Sequence, residues 1–283
     1  MTVAERARTA VAARLQESGP LHGFRSTWPG YLVDWRENLV SGVTPGDIEQ
    51  DLRSGSGGEL ADKPGEPAKF CAAHSSAALA VNTFAPFRRH PERLTLFGGG
   101  FRTCRFEHKC PNGLRGTNPN LDFWAESDHA VLGVESKFLE PLEPKVARFS
   151  EQYQRPFLGD DGPRIAETPW TNSFKSLRDG SLRFKHLDAA QLVKHYLGLI
   201  HSHPDRARTL LYVYWEPTNA GQITEFVAHR QEVAAFASAV SGCETKFVAM
   251  SYAELWRDIE ALQSWAGAAA HVAAVRARYA FAL

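Results

Sequence analysis

Apolar and polar positions change rhythm several times along the chain, and each change predicts an element. Residues 2–17 carry Val3, Ala7, Ala10, Val11 and Leu15 at helical spacing, and Gly19-Pro20 stops the run. An irregular aromatic stretch follows from Leu21 to Val43, with Phe24, Trp28, Tyr31 and Trp35. Thr44-Pro45 opens a short acidic helix, threonine as cap and proline in the first turn, which runs out in Ser54–Gly58. Residues 68–85 read as a helix of small residues closed by Pro86. Leu94–Phe97 and Phe101–Phe106 read as strands separated by three glycines. Leu121–Ala125 and Ala130–Lys137 read as a hairpin around the polar turn Glu126–His129. Beyond it, 139–186 is polar and interrupted by five prolines, too long for plain connection and expected to be functional or mobile. Helix 187–203, strand 209–215, helix 229–240, strand 246–250, helix 252–264 and an alanine-rich helix over 265–283 complete the pattern. Alternation of strand and helix in this half predicts an α/β fold, a mixed sheet with helices on its faces.

The second hairpin strand carries charge where an apolar strand should not. Side chains alternate along a strand, so Val131, Gly133, Glu135 and Lys137 share one face and Leu132, Val134 and Ser136 the other. With the turn centred between Ser127 and Asp128, Asp122 lies opposite Gly133 and becomes the diagonal neighbour of Glu135. Two carboxylates and an ammonium then meet. Phosphodiester hydrolysis needs that set: carboxylates, a backbone carbonyl and waters are hard oxygen ligands for Mg²⁺, and Mn²⁺ can substitute. The metal activates water and neutralises charge on the phosphate. Lys137 can orient or deprotonate the water, with a pKa that burial and a nearby metal would lower. A Glu-x-Lys triplet is not distinctive, since the chain also has Glu107-His108-Lys109, Glu143-Pro144-Lys145 and Glu244-Thr245-Lys246. Only Glu135-Ser136-Lys137 ends an apolar strand paired locally with a strand bearing an Asp. The other use of these charges is an ion pair serving the sheet alone, a poor way to stabilise a core.

These residues, Asn120-Leu121-Asp122 and Glu135-Ser136-Lys137 with twelve residues between Asp and Glu, resemble the PD-(D/E)XK nuclease superfamily. The usual proline before the Asp is displaced to Pro119. Segments 74–82, 106–122 and 134–138 look like a bacterial group of restriction endonucleases within it, a resemblance spanning residues 45–260. The resemblance implies a restriction-endonuclease-like core over 44–264, with the loop-rich insertion at 139–186, an arm over 1–43 packing on it and a C-terminal helix over 265–283. It implies metal held by Asp122, Glu135 and the Ser136 carbonyl, and catalysis by Asp122, Glu135 and Lys137. A further acid on the first core helix is common in the superfamily; Glu59 is the candidate and Glu49 a weaker one. On the helix after the motif, Gln191 fits the supporting role best and Lys194 second. The activity implied is a DNA endonuclease of restriction or defence type, with a homodimer suited to double-strand cutting. A repair or RNA-processing nuclease, or an inactive nucleic-acid-binding protein, would carry the same fold. A partner methyltransferase is left open.

Charge refines this picture. Thirty-two Lys and Arg balance thirty-two Asp and Glu, so nonspecific coating of nucleic acid is not expected from net charge. Locally, Arg88, Arg89, Arg93, Arg102, Arg105, Lys109 and Arg115 oppose only Glu92 and Glu107, a stretch suited to phosphate contact. Trp170 and Phe174 interleave with Lys175, Arg178, Arg183 and Lys185, a pattern equally suited to a nucleic-acid-facing loop or a surface flap. The arm's aromatics could stack on bases, but packing on the body is the expected use. His74 and Ser75 lack the elbow and acid of a serine hydrolase. Four cysteines in this length are no disulfide framework, no apolar run could span a membrane, and no secretory signal opens the chain, so a cytoplasmic enzyme is expected.

Overall fold

The computed structural model describes residues 1–283 apart from 56, 57, 117, 145, 160–165, 263 and 264. Ser56 and Gly57 of the glycine run, Lys145 of the third Glu-x-Lys triplet, and Pro163 therefore lie outside the described residues. Five strands, β1 (Thr103–Lys109), β2 (Asn120–Glu126), β3 (Ala130–Lys137), β4 (Ala207–Tyr214) and β5 (Lys246–Ser251), form one sheet in chain order. β1, β2 and β3 pair antiparallel and β3, β4 and β5 parallel, so the sheet is mixed. Each parallel step needs a crossover. The helix Thr224–Ala239 lies in the step from β4 to β5, and helices Thr168–Asp179 and Ala189–Ser202 in the step from β3 to β4.

Helices cover both faces. On one, Phe123, Ala125, Leu132 and Val134 pack with Ser76–Arg89, Tyr252–Leu262 and Ala268–Tyr279 through Phe84, Trp256 and Val272. On the other, Trp124, Val131, Leu210 and Tyr212 pack with the crossover helices through Trp170, Leu192 and Phe236. The N-terminal helix Val3–Glu17 starts on a Thr2–Glu5 capping box and buries Ala7, Val11 and Leu15 in the first layer. Asn82, fully buried, ties three segments together. It accepts from Val40 N at 2.9 Å and donates to the Asn38 carbonyl and the Tyr279 hydroxyl at 2.8 Å each. A buried amide needs all of these partners.

Several expectations are corrected. Leu94–Phe97 is not a strand: Phe97 and the three glycines after it all have positive φ, which bends the chain sharply instead of extending it. The helix expected over 68–85 splits into a 3-10 turn at Lys69–Cys71 and the helix Ser76–Arg89. Ser75 makes the new start by accepting from Ala78 N at 3.1 Å, and Pro86 lies inside the helix rather than closing it. Among the described residues of 139–186 is a three-turn helix, Thr168–Asp179. Trp170 and Phe174 are fully buried on Thr168–Asp179; Trp170 stacks on Tyr196 at 4.2 Å and Phe174 on Phe157 at 4.4 Å. Neither ring faces a nucleic acid.

Candidate active site

The site forms where the β2–β3 hairpin stops pairing. Ser127 N donates to the Ala130 carbonyl at 2.9 Å, so the turn centres on Asp128 and His129, one residue later than the sequence suggested. A one-residue move of the centre shifts the register by two. The ladder runs Glu126–Val131, Ala125–Leu132, Trp124–Gly133 and Phe123–Val134. Continued one step, it sets Asp122 across from Glu135 instead of Gly133. That rung is no longer a backbone pair: the Asp122 Oδ2 accepts from Ser136 N at 2.6 Å, bridging the two strands through a side chain.

The neighbouring rung of β1 is distorted as well. Glu107 has φ +50°, and the β1–β2 pairing passes from Phe106–Phe123 to His108–Leu121 without it. Side-chain alternation breaks there. Cys104 and Phe106 belong to one hydrophobic layer, whereas His108 stacks on Trp124 in the other, at 4.5 Å. In β2, Phe123 and Ala125 lie in the first layer and Leu121 in the second. With both strands changing faces at one level, Glu107 and Asp122 reach the same cleft. Gly55 makes room for the bent strand, since a Cβ there would come within 2.7 Å of the Glu107 Cβ. Asn120 Nδ2 holds the Glu107 carboxylate at 3.2 Å.

This cleft, of about 550 Å³, is lined by Asp122, Glu135, Ser136, Lys137, Gln191, Glu107 and Glu59, with Lys69, His74 and Tyr31 on its walls. Lys137 Nζ donates to Glu135 Oε1 and, at 2.9 Å, to Gln191 Oε1. The helix Ala189–Ser202 places Gln191 through its cap, with the Asp188 side chain accepting from Gln191 N at 3.0 Å. One turn on, His195 is fully buried and brings Nε2 within 2.7 Å of Glu135 Oε2, off the axis of a good hydrogen bond. Residues i and i+4 of one helix thus touch the lysine and the glutamate of the motif.

Charge in the cleft is unevenly held. Burial pushes the Glu135 carboxyl up, but Lys137 and His195 outweigh it and bring it down to about 2. Burial pulls the Lys137 ammonium down, and the carboxylates of Glu135, Glu140 and Asp122 overcome that, so its pKa is raised. Burial thus acts in the direction expected from the sequence, and the neighbouring carboxylates outweigh it. Burial, then Glu135 and Glu107, push the Asp122 carboxyl well above its usual range. Burial, then Glu59, push Glu107 up to about 7. Carboxylates therefore crowd one another here, and an oxygen-rich cleft with surplus negative charge fits a hard divalent cation. Among the described residues, no three His, Cys, Asp or Glu side chains already surround one point; a metal held by Asp122, Glu135 and the Ser136 carbonyl would be completed by water.

The other expected site residues divide. Glu59 lines the cleft from a turn, not from a helix, with Lys69 Nζ 3.4 Å away. Glu49 pairs with Arg53 instead. Arg88 is held by Asp51, at 2.6 and 3.1 Å, in a cluster that also takes Phe106 N, so it braces β1. Arg89 pairs with Asp47 and Arg102 with Asp128. Arg105, Lys109 and Arg115 are exposed and make no ion pair among the described residues. Lys194 lies over the rings of Phe149 and Tyr153, at 5.7 and 5.9 Å.

Two side chains of the site escaped the sequence reading. Glu107 was visible only as one of four Glu-x-Lys triplets; following the β1–β2 pairing to the level of Asp122 would have found it. His195 was visible as the neighbour of Gln191 one turn away.

No helix among the described residues is long and apolar enough to cross a membrane. No curated protein and no solved structure matches the chain. A family model, described as Restriction Endonuclease associating with ARP, matches residues 6–280. The chain therefore belongs to this restriction endonuclease family, REase-ARP.

Proposed function

We propose that this protein is a metal-dependent endonuclease of PD-(D/E)XK type that hydrolyses phosphodiester bonds in DNA. The observation that carries the reading is the open rung of the hairpin, where Asp122 bridges to Ser136 N beside the Glu135–Lys137 pair. Asp122, Glu135 and the Ser136 carbonyl would hold Mg²⁺, with Glu59 and Glu107 as further acids of the same cleft. Bound there, the metal supplies charge neutralisation at the phosphate and a more acidic water. Lys137 Nζ, set beside Glu135 and Gln191, would donate to the attacking water or a phosphate oxygen, or take the water's proton once a bound metal offsets the carboxylates that raise its pKa. Gln191 fixes Nζ from the helix side and His195 braces the far oxygen of Glu135. The family description supports a restriction or defence role, and the association with ARP that it names extends to this chain as part of the proposal.

The test is cleavage of plasmid, linear DNA and RNA with Mg²⁺ or Mn²⁺ by the wild type, Asp122→Ala and Lys137→Ala. Metal-dependent cutting of DNA lost in both variants is the expected result. Cutting that survives both would move the chemistry elsewhere, cutting of RNA alone would change the substrate, and binding without cutting would make this a nucleic-acid-binding protein on a nuclease fold.

A further inference from the structure

The N-terminal arm sends its aromatic residues in two directions. Trp35 packs edge-on against Phe70 and is buried, as an arm anchored on the body should be. Trp28 and Tyr31 do something else. Tyr31 forms part of the wall of the cleft that contains Asp122, Glu135 and Lys137, edge-on to His74 at 5.8 Å. Trp28 stands edge-on to Tyr31 at 5.8 Å and is 39% exposed.

The turn that presents them is rigidly held. Tyr31 N donates to the Trp28 carbonyl at 3.0 Å and Arg25 N to the Tyr31 carbonyl at 2.7 Å. Ala73 N donates to the Gly30 carbonyl and Leu32 N to the Cys71 carbonyl, both at 2.8 Å. The Arg25 guanidinium clasps Asp62 at 2.8 and 3.1 Å and also reaches the Leu32 carbonyl. Gly30, at φ +80°, permits the reversal. An indole that faces water on a well-fixed turn contributes little to the core. Set edge-on to Tyr31 of the cleft wall, it offers an apolar face to a strand whose phosphodiester would lie in the cleft.

We infer that Trp28 and Tyr31 form a stacking platform for an unpaired nucleobase of the substrate strand, next to the phosphate in the cleft. The inference rests on the nuclease reading of that cleft and names its substrate more narrowly: nucleic acid with at least one base out of the helical stack. A base inside a duplex already has both faces covered by its neighbours. Only a single strand, an end, a flap or an extruded base has a free face to give the platform. Aromatic stacking accepts any base, so the platform selects for strand structure and not for sequence.

The test compares oligothymidylate with an abasic oligomer of equal length, which keeps the phosphates and loses the bases, in a binding titration with Ca²⁺ to hold off cleavage. The wild type is expected to bind the base-bearing strand about tenfold more tightly. Trp28→Ala should erase that preference and Trp28→Phe should keep most of it. Trp28 is exposed, so these variants should fold as the wild type does, checked by thermal melting. Oligouridylate showing the same preference would support the platform, because a base face is common to DNA and RNA. Equal binding of the two oligomers by the wild type, or a preference untouched by Trp28→Ala, overturns the inference. Cleavage by the wild type that depends on Lys137 keeps the nuclease reading in either case. If cleavage and binding are both missing, that reading falls and takes the platform with it.

Discussion

The two ends of the β2–β3 hairpin are made from the same pair of strands and behave in opposite ways. Toward the turn, four consecutive rungs are backbone-paired and their apolar side chains sort into two layers, while Glu126 pairs with Arg206. Toward the far end, pairing stops after Phe123–Val134, a carboxylate takes the place of the next backbone contact, and the acids face one another. Regular pairing satisfies the backbone and excludes water. An open rung leaves polar groups free to meet a ligand, at the expense of crowding like charges that burial makes more costly. Under the proposed function stability sits at one end and chemistry at the other, a division expected where function requires a strained or charged site.

The strongest challenge to this comparison is made at the closed end. Phe123 stacks on Phe84 at 4.5 Å and is fully buried, so Phe123→Ala should cost about 3–5 kcal/mol in urea unfolding. A loss under about 1 kcal/mol would mean that the paired end is not where the hairpin gets its stability. At the open end, Lys137→Ala should lower cleavage about 10²–10³-fold, comparable to removing a donor aimed at developing charge. His195→Gln acts through Glu135 and should weaken divalent metal binding about 10–100-fold, read by calorimetry, while His195 touches no substrate.

Asp122→Asn should do what a change at the closed end cannot: abolish cleavage and raise metal-free stability, by about 1 kcal/mol, because a crowded carboxylate becomes a neutral amide that still accepts from Ser136 N. The smallest effect is in the pH dependence, and its sign differs between two neighbouring residues of β1 at the open end. Burial beside Trp124 lowers His108 to about 4 from an ordinary value of 6.5, so the unfolded chain takes up the proton first and stability falls as pH drops from 6.5 toward 4. Glu107 is raised to about 7 from 4.5, so the folded, metal-free protein binds the proton more tightly and stability falls as pH rises from 4.5 to 7. The two windows overlap, so the slopes offset one another over most of this range, and Glu107→Gln should tip the profile of denaturant midpoints toward stability that rises with pH.

The legible part of the molecule is the part that obeys periodicity. Strands β3, β4 and β5 and the helix Ala189–Ser202 were set within a few residues by apolar pattern, the helix Thr224–Ala239 was placed with its start too late, and Thr168–Asp179 was missed. The three glycines after Phe97 were read as a link between strands, yet the positive φ of Phe97 itself had no marker in its residue type. Trp170 and Phe174 looked like a basic-aromatic loop because proline and charge surround them; their helix becomes visible only once Tyr196 and Phe157 supply the partners that bury it. The motif Asp122, Glu135 and Lys137 was visible from residue type and strand context. Its register was not, because the turn centre is fixed by the Ser127–Ala130 bond and not by composition. Glu107 was lost for a related reason: it reaches the cleft only by violating the alternation that a sequence reading has to assume.

A divalent cation at the open end of the hairpin is what the proposed function depends on most. Calorimetric titration of Mn²⁺ into the wild type and Asp122→Asn tests it most directly. Saturable binding in the wild type, strengthening as pH rises through about 7 and absent in Asp122→Asn, is the predicted result. Equal binding by both proteins, or none by a wild type that cuts DNA, would contradict it.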